Sequence, residues 1–319
     1  MQSMKSISEL KEFYLSELLP DLKKLESIRK AQVIRQAYIF VTLAFSILLA
    51  TILTLPTMLL VFMAVFLVGY FLIFGFKRKR FDYKNSYKES VLKKISTFSF
   101  PDAEYTPFQF IPKKYYDQCK LFIPKPDIYN GEDLIKGNAD GIHFQLSEIE
   151  TMERNVDSDN KVFFATQFKG LFFIAELQRK LENSTYVFGN TSPEFIAGFN
   201  SHYHDINILR PELITTADAA FDKSFAVYST DNDSAEKLLT PAFKKLIQEY
   251  KINTGANIQL AFIENYLYLA IPETKDFFKA SMYKTLLKFD NIQAHYNELC
   301  FCITVAKEFQ KNIAISTNA

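Results

Sequence analysis

His202, His204 and Asp205 fall in one short polar run, and imidazole and carboxylate are ligand types that a catalytic zinc takes. Three such ligands leave a fourth position for water, so the chemistry to test there is metal-dependent hydrolysis. His295 and Cys302 share one helix face, but two helical turns span about 10 Å. That is too far for a thiolate–imidazole pair, and both read as core residues. Asn130-Gly131-Glu132-Asp133, followed by Lys136, reads as a turn bearing two carboxylates and a lysine. Adjacent carboxylates on a turn point different ways, which argues against an acid/base pair. Glu132, Asp133 and Lys136, with Lys169, are instead candidate binding residues for a small ligand or a lipid headgroup. Asp231-Asn232-Asp233 alternates oxygen ligands as calcium loops do, yet lacks the glycine and the distal glutamate, so helix capping accounts for it. There is no phosphate loop, dinucleotide fingerprint, nucleophile elbow or H-E-x-x-H pair. No catalytic residue and no cofactor is assigned.

Hydropathy dictates the elements that carry these residues. Residues 36–76 hold no charged side chain. Ala37–Leu55 and Met58–Phe76 each come close to the roughly 20 apolar residues that cross a bilayer. Pro56 lacks the amide hydrogen a continuing helix needs, which predicts two spans joined by a tight turn. Arg29, Lys30 and Arg35 precede the first span, and Lys77, Arg78, Lys79 and Arg80 follow the second. Basic flanks stay on the cytoplasmic side, so a two-pass membrane protein with both termini cytoplasmic is expected. The lipid bilayer is then the first partner, with the basic flanks against anionic headgroups. Spans without ionisable groups mark no transport pathway. Three cysteines without framework spacing fit a reducing compartment, and a net charge of +1 offers nucleic acid no field.

Four regions are expected. Residues 1–35 form amphipathic helices, with Ile7, Leu10, Tyr14, Leu18, Leu22, Leu25 and Ile28 in one apolar stripe and Pro20 predicting a break near Leu19. Residues 36–76 are the transmembrane hairpin, and 77–127 a juxtamembrane helix and proline-punctuated linker. Residues 128–319 form a cytoplasmic domain with a sub-boundary in the loop 190–215. There Ile142, Phe144 and Leu146 alternate with His143 and Gln145 as a half-buried strand. Lys169-Gly170 is read as a turn between two further strands, and Glu264-Asn265 as a hairpin turn. Capping signals at Asp233 and Thr240-Pro241 predict two short helices, and a last helix spans about 290–311. Strand runs followed by helices predict an α+β class of antiparallel strands and helices.

LLPDLKKLESIRK, YKESVLKKIST, YNGEDLIKGNADGIHFQLSEIE, FKGLFFIAEL and FDKSFAVYSTDNDSAEKLLTPAFKKL occur in this order. Together they resemble the bacterial membrane protein family catalogued as domain of unknown function 3137, from about residue 10 to 310. The resemblance implies a bacterial inner-membrane protein in which Gly131-Glu132-Asp133, Gly137, Glu148, Lys169-Gly170, Asp231, Ala235 and Thr240-Pro241 are family positions. It implies no activity, and it suggests a LemA-type membrane protein as partner. The reading reached from the sequence is a membrane-anchored protein-interaction or scaffold module that binds another protein or a second copy of itself. A small-ligand or headgroup sensor is the first alternative, and a hydrolase using His202 and His204 the second.

Overall fold

The computed structural model describes residues 4–50, 63, 66, 67, 69, 82–189, 211–272 and 280–315. The chain divides into two compact units. One comprises Lys5–Ile95 and Phe278–His295, the other Met1–Met4, Ser96–Phe277 and Tyr296–Ala319.

The first of these units is helical. Helix α1 (Ile7–Phe13) opens with a capping box, in which the Ser6 hydroxyl accepts from the Glu9 amide while the Glu9 carboxylate accepts from the Ser6 amide. A wide turn over Tyr14–Leu18 leads directly into α2 (Leu19–Ala50). The expected break at Leu19 is therefore absent. Proline has no amide hydrogen and its ring crowds the carbonyl four residues back. The wide turn just before Pro20 relieves this, with the Leu19 amide donating to the Tyr14 carbonyl five residues away. Lys94 then donates to the Glu17 carbonyl inside that turn at 3.1 Å and pairs with Asp21 at 2.9 Å. Leu10, Tyr14, Leu18, Leu22 and Leu25 are buried as the stripe predicts, whereas Ile7 and Ile28 are exposed.

Ile7–Leu48 is long and apolar enough to cross a membrane. Pro56, Lys77, Arg78, Lys79 and Arg80, with most of the second expected span, lie outside the described residues. Of the expected membrane-flanking cations, Lys30 is exposed and Arg35 half-buried. Arg29 turns inward instead, held by Glu26 and by the Met282 carbonyl.

His295, on the last helix α8 (Phe289–Ile315), is buried within this unit with Nε2 3.5 Å from the Tyr87 hydroxyl. Burial disfavours the imidazolium and pushes its pKa down to about 4. The folded state keeps the ring neutral while the unfolded chain protonates it near pH 6.5, so stability is full above that pH and is lost as pH falls toward 4. By pH 5 the loss amounts to about 2 kcal/mol. Glu298, also buried, has a raised pKa and acts in the opposite sense, its contribution falling as pH rises above the ordinary carboxylate range. Thermal unfolding at pH 7.5 and pH 5 should therefore fall further for the parent chain than for His295→Gln. Equal falls would show that the imidazole is not the group responsible.

The second unit is built on a nine-stranded antiparallel sheet. Its strands are β1 (Glu104–Thr106), β2 (Ile128–Ala139), β3 (Ile142–Val156), β4 (Val162–Glu176), β5 (Thr185–Gly189), β6 (Glu212–Ile214), β7 (Phe225–Ser229), β8 (Gln259–Ile263) and β9 (Tyr266–Pro272). Their order across the sheet is β1-β2-β3-β4-β9-β8-β5-β7-β6. The α+β class is borne out. Helix α3 (Lys93–Ser99) precedes the sheet, and α4 (Lys113–Cys119) packs on one face. There Tyr116 and Cys119 join Leu134, Ile149, Phe172, Ile174 and Tyr268 in one buried cluster. Short helices α5 (Ala219–Ser224) and α6 (Asn232–Leu238) flank β7. Helix α7 (Pro241–Thr254), capped by Thr240 with proline at its first position, covers the other face with α8 through Phe243, Phe262 and Phe309.

Covering both faces explains why the alternation of Ile142, Phe144 and Leu146 gives way to continuous burial from Leu146 to Ile149. Lys169-Gly170 is no turn. Gly170 lies inside β4 and pairs with Ile149 on one side and Pro272 on the other. The Glu264-Asn265 hairpin is present, with Glu264 taking the positive φ of 53°. Asp231, rather than Asp233, caps α6 by accepting from the Ser234 amide.

Candidate functional site

Three features of the sheet unit concentrate polar or exposed chemistry. The first is a cleft of about 430 Å³ on the face that α4 covers, lined by Asp102, Glu104, Tyr115, Lys136, His143, Gln145, Ile174, Glu176 and Tyr266. Register builds it. Glu104 pairs with Lys136, Lys136 with Gln145, and Gln145 with Ile174, and paired residues project from the same face. Asn138 and His143 form the next pair along, and Glu176 lies opposite Tyr266. Gly137 allows β2 to lie close to β3, since a Cβ there would meet the Phe144 ring at 2.8 Å. Tyr115 reaches in from α4, its ring centroid 6.0 Å from that of Tyr266 in an edge-to-face arrangement. Asn265 donates to the Glu176 carboxylate at 3.2 Å. Burial and then the Glu176 charge raise the Tyr266 pKa, which keeps the phenol protonated.

The second feature corrects an expectation. Asn130 to Asp133 is not a turn but part of β2, and the register shifts between Glu132 and Ile135 as a bulge. The bulge gives Asp133 a φ of 62° and buries it, where it accepts from the Tyr105 hydroxyl at 2.5 Å. Glu132 faces Glu148 across the strands. The oxygens of Glu132, Asp133 and Glu148 lie within 4.8 Å of one another, hard ligands of the type divalent cations take.

The four candidate binding residues therefore do not form one site. Glu132 and Asp133 meet Glu148, Lys136 lines the cleft, and Lys169 pairs with Glu150 at 2.9 Å. His202, His204 and Asp205 lie outside the described residues.

The third feature had no signal in the sequence. Pairing of β2 with β3 ends at Met152, and pairing of β9 with β4 ends at Gly170. Beyond these points Glu153–Val156 and Val162–Ala165 form strand pairs only with each other among the described residues, with the Arg154 amide donating to the Asp127 carboxylate at 2.8 Å. Val156 is 54% exposed, and Val162, Phe163 and Phe164 are each 48% exposed. The connecting turn is well tied: the Asp157 carboxylate accepts from the amides of Asp159 at 2.9 Å and Lys161 at 2.8 Å. A firmly built ribbon thus presents four large apolar side chains to solvent.

Residues 166–311 match the family described as Protein of unknown function (DUF3137). That stretch of the chain is similar to DUF3137. The DUF3137 match takes in Ile174, Glu176 and Tyr266 of the cleft, whereas Lys136, the acidic bulge and the hairpin end precede it. No curated protein matches. One similar solved structure is the crystal structure of the mycobacterial trehalose monomycolate transport factor A, TtfA, at 10% identity and a TM-score of 0.31, covering 64% of this chain and 88% of that one. A likeness of that size transfers no role.

Proposed function

We propose that this chain is a membrane-anchored protein-interaction module whose β3–β4 hairpin end is the docking element. The exposed group Val156, Val162, Phe163 and Phe164 on a braced ribbon carries the reading. Aromatic side chains held rigidly at low entropic cost are the residue types that dominate binding energy at interfaces. An exposed apolar ribbon without a partner is also a route to aggregation, which disfavours leaving it bare. The anchor is the apolar stretch Ala37–Phe76, which begins within the helix Ile7–Leu48, with both termini cytoplasmic because basic residues flank it at both ends. The partner is another membrane protein, of the LemA type by family resemblance, or a second copy of this chain.

Changing Phe163 and Phe164 to serine in the full-length protein tests this. Each removes an aromatic anchor, expected to weaken partner binding about 30-fold per residue. Both lie at exposed positions, so the thermal midpoint should hold. A doubly substituted chain that still recovers the same partners in the same amounts from crosslinked membranes defeats the reading. The cleft supports a second role, as a ligand sensor.

A further inference from the structure

We propose that the cleft binds a small organic cation, one bearing a primary or quaternary ammonium group. This goes beyond docking by the hairpin and rests on different residues. A volume of about 430 Å³ suits a small ligand. The charged lining is uneven: Asp102, Glu104 and Glu176 are acids, and Lys136 is the lysine among the lining residues. Glu104 is the register partner of Lys136, so the two largely offset one another. Asp102 and Glu176 then leave an acid surplus that repels anions and attracts a cation.

The aromatic wall adds selectivity for an organic cation over a metal ion. Ring faces attract ammonium groups through their quadrupole, and aromatic walls are the usual means of recognising quaternary ammonium. Tyr115 already holds one such group: the Lys114 ammonium sits 4.7 Å from its ring centroid. Tyr266 meets Tyr115 edge to face and remains a neutral phenol beside Glu176. Ile174 provides an apolar floor for a methylene chain, at which a hydrated metal ion gains nothing.

The experiment is calorimetric titration of the full-length protein, in a neutral maltoside detergent at fixed physiological salt, with spermidine, choline and citrate. Spermidine or choline should bind, and citrate should not. The double variant Asp102→Asn/Glu176→Gln should weaken cation binding at least about tenfold. Lys136→Gln should strengthen it severalfold, since it removes a like charge. Exposed side chains are altered in each case, so the thermal midpoint without ligand should stay put and is measured alongside. Absence of binding by both cations, binding of citrate in their place, or cation binding unchanged in the double variant each overturns the proposal. Phe163→Ser/Phe164→Ser should leave cation binding as it was, so the hairpin reading and this one stand or fall separately.

Discussion

Replacing Phe262 by alanine is expected to cost about 3–5 kcal/mol of stability in the sheet unit. Phe262 lies on β8, fully buried, with its ring stacked on Phe309 at 4.2 Å between centroids and meeting Phe243 edge-on at 5.8 Å. Phe309 and Phe243 also touch, at 6.1 Å, so the three rings form a closed group where α7 and α8 meet the sheet. Deleting the central ring removes both its transfer free energy and the contacts of the two that remain. Neither helix can close the gap without losing its other packing, which places the cost at the high end for a core truncation. A unit of this size should lose about 10 °C in thermal midpoint. Ile252, on α7 but 80% exposed, is the control, and Ile252→Ser should change stability by less than about 0.5 kcal/mol. A similar midpoint for both variants would contradict the packing described.

Glu26→Ala should cost about 2–3 kcal/mol in the helical unit, because it strands the charge of Arg29. The two side chains are 6% and 11% exposed and meet as a bidentate pair at 2.7 and 2.9 Å. Glu26 also accepts from the Leu286 amide at 3.1 Å, and Arg29 donates to the Met282 carbonyl at 2.8 Å. The Arg29 hydrogen bond is the main influence holding the Glu26 carboxyl below the usual range, and the carboxylate raises the guanidinium pKa in return. This pair therefore ties α2 to the segment before α8. Arg29 keeps one edge near the surface, and solvent there holds the cost below that of a fully enclosed pair. Removing both charges, as in Glu26→Leu/Arg29→Met, should destabilise less than Glu26→Ala alone, since no buried charge is left unpaired. Additive losses in that cycle would mean the two residues act independently.

Much of the architecture was legible in the sequence because it rests on local signals. Thr240-Pro241 at the start of α7, the turn at Glu264-Asn265 and the apolar stripe from Leu10 to Leu25 are each set by a few neighbouring residues. The misreadings share one cause, a local signal overruled by what lies beside it. Pro20 suggests a break, but the wide turn before it carries the helix on. Gly170 suggests a turn, but strands on both sides hold it extended.

The candidate sites were harder still. The cleft draws Glu104, Lys136, His143, Glu176 and Tyr266 from five strands, and only register brings them together. Val162, Phe163 and Phe164 read like any core strand. Their exposure follows from where β2 and β9 stop, which nothing within β4 announces.

Site-specific photocrosslinking tests the central claim most directly. A benzoylphenylalanine would replace Phe163 in one full-length chain and Ile252 in another, each expressed in native membranes. The account predicts an adduct of one defined mass from position 163, none from position 252, and loss of the adduct when Phe164→Ser is added. No adduct at 163, or equal adducts at both positions, would contradict the hairpin as the docking element.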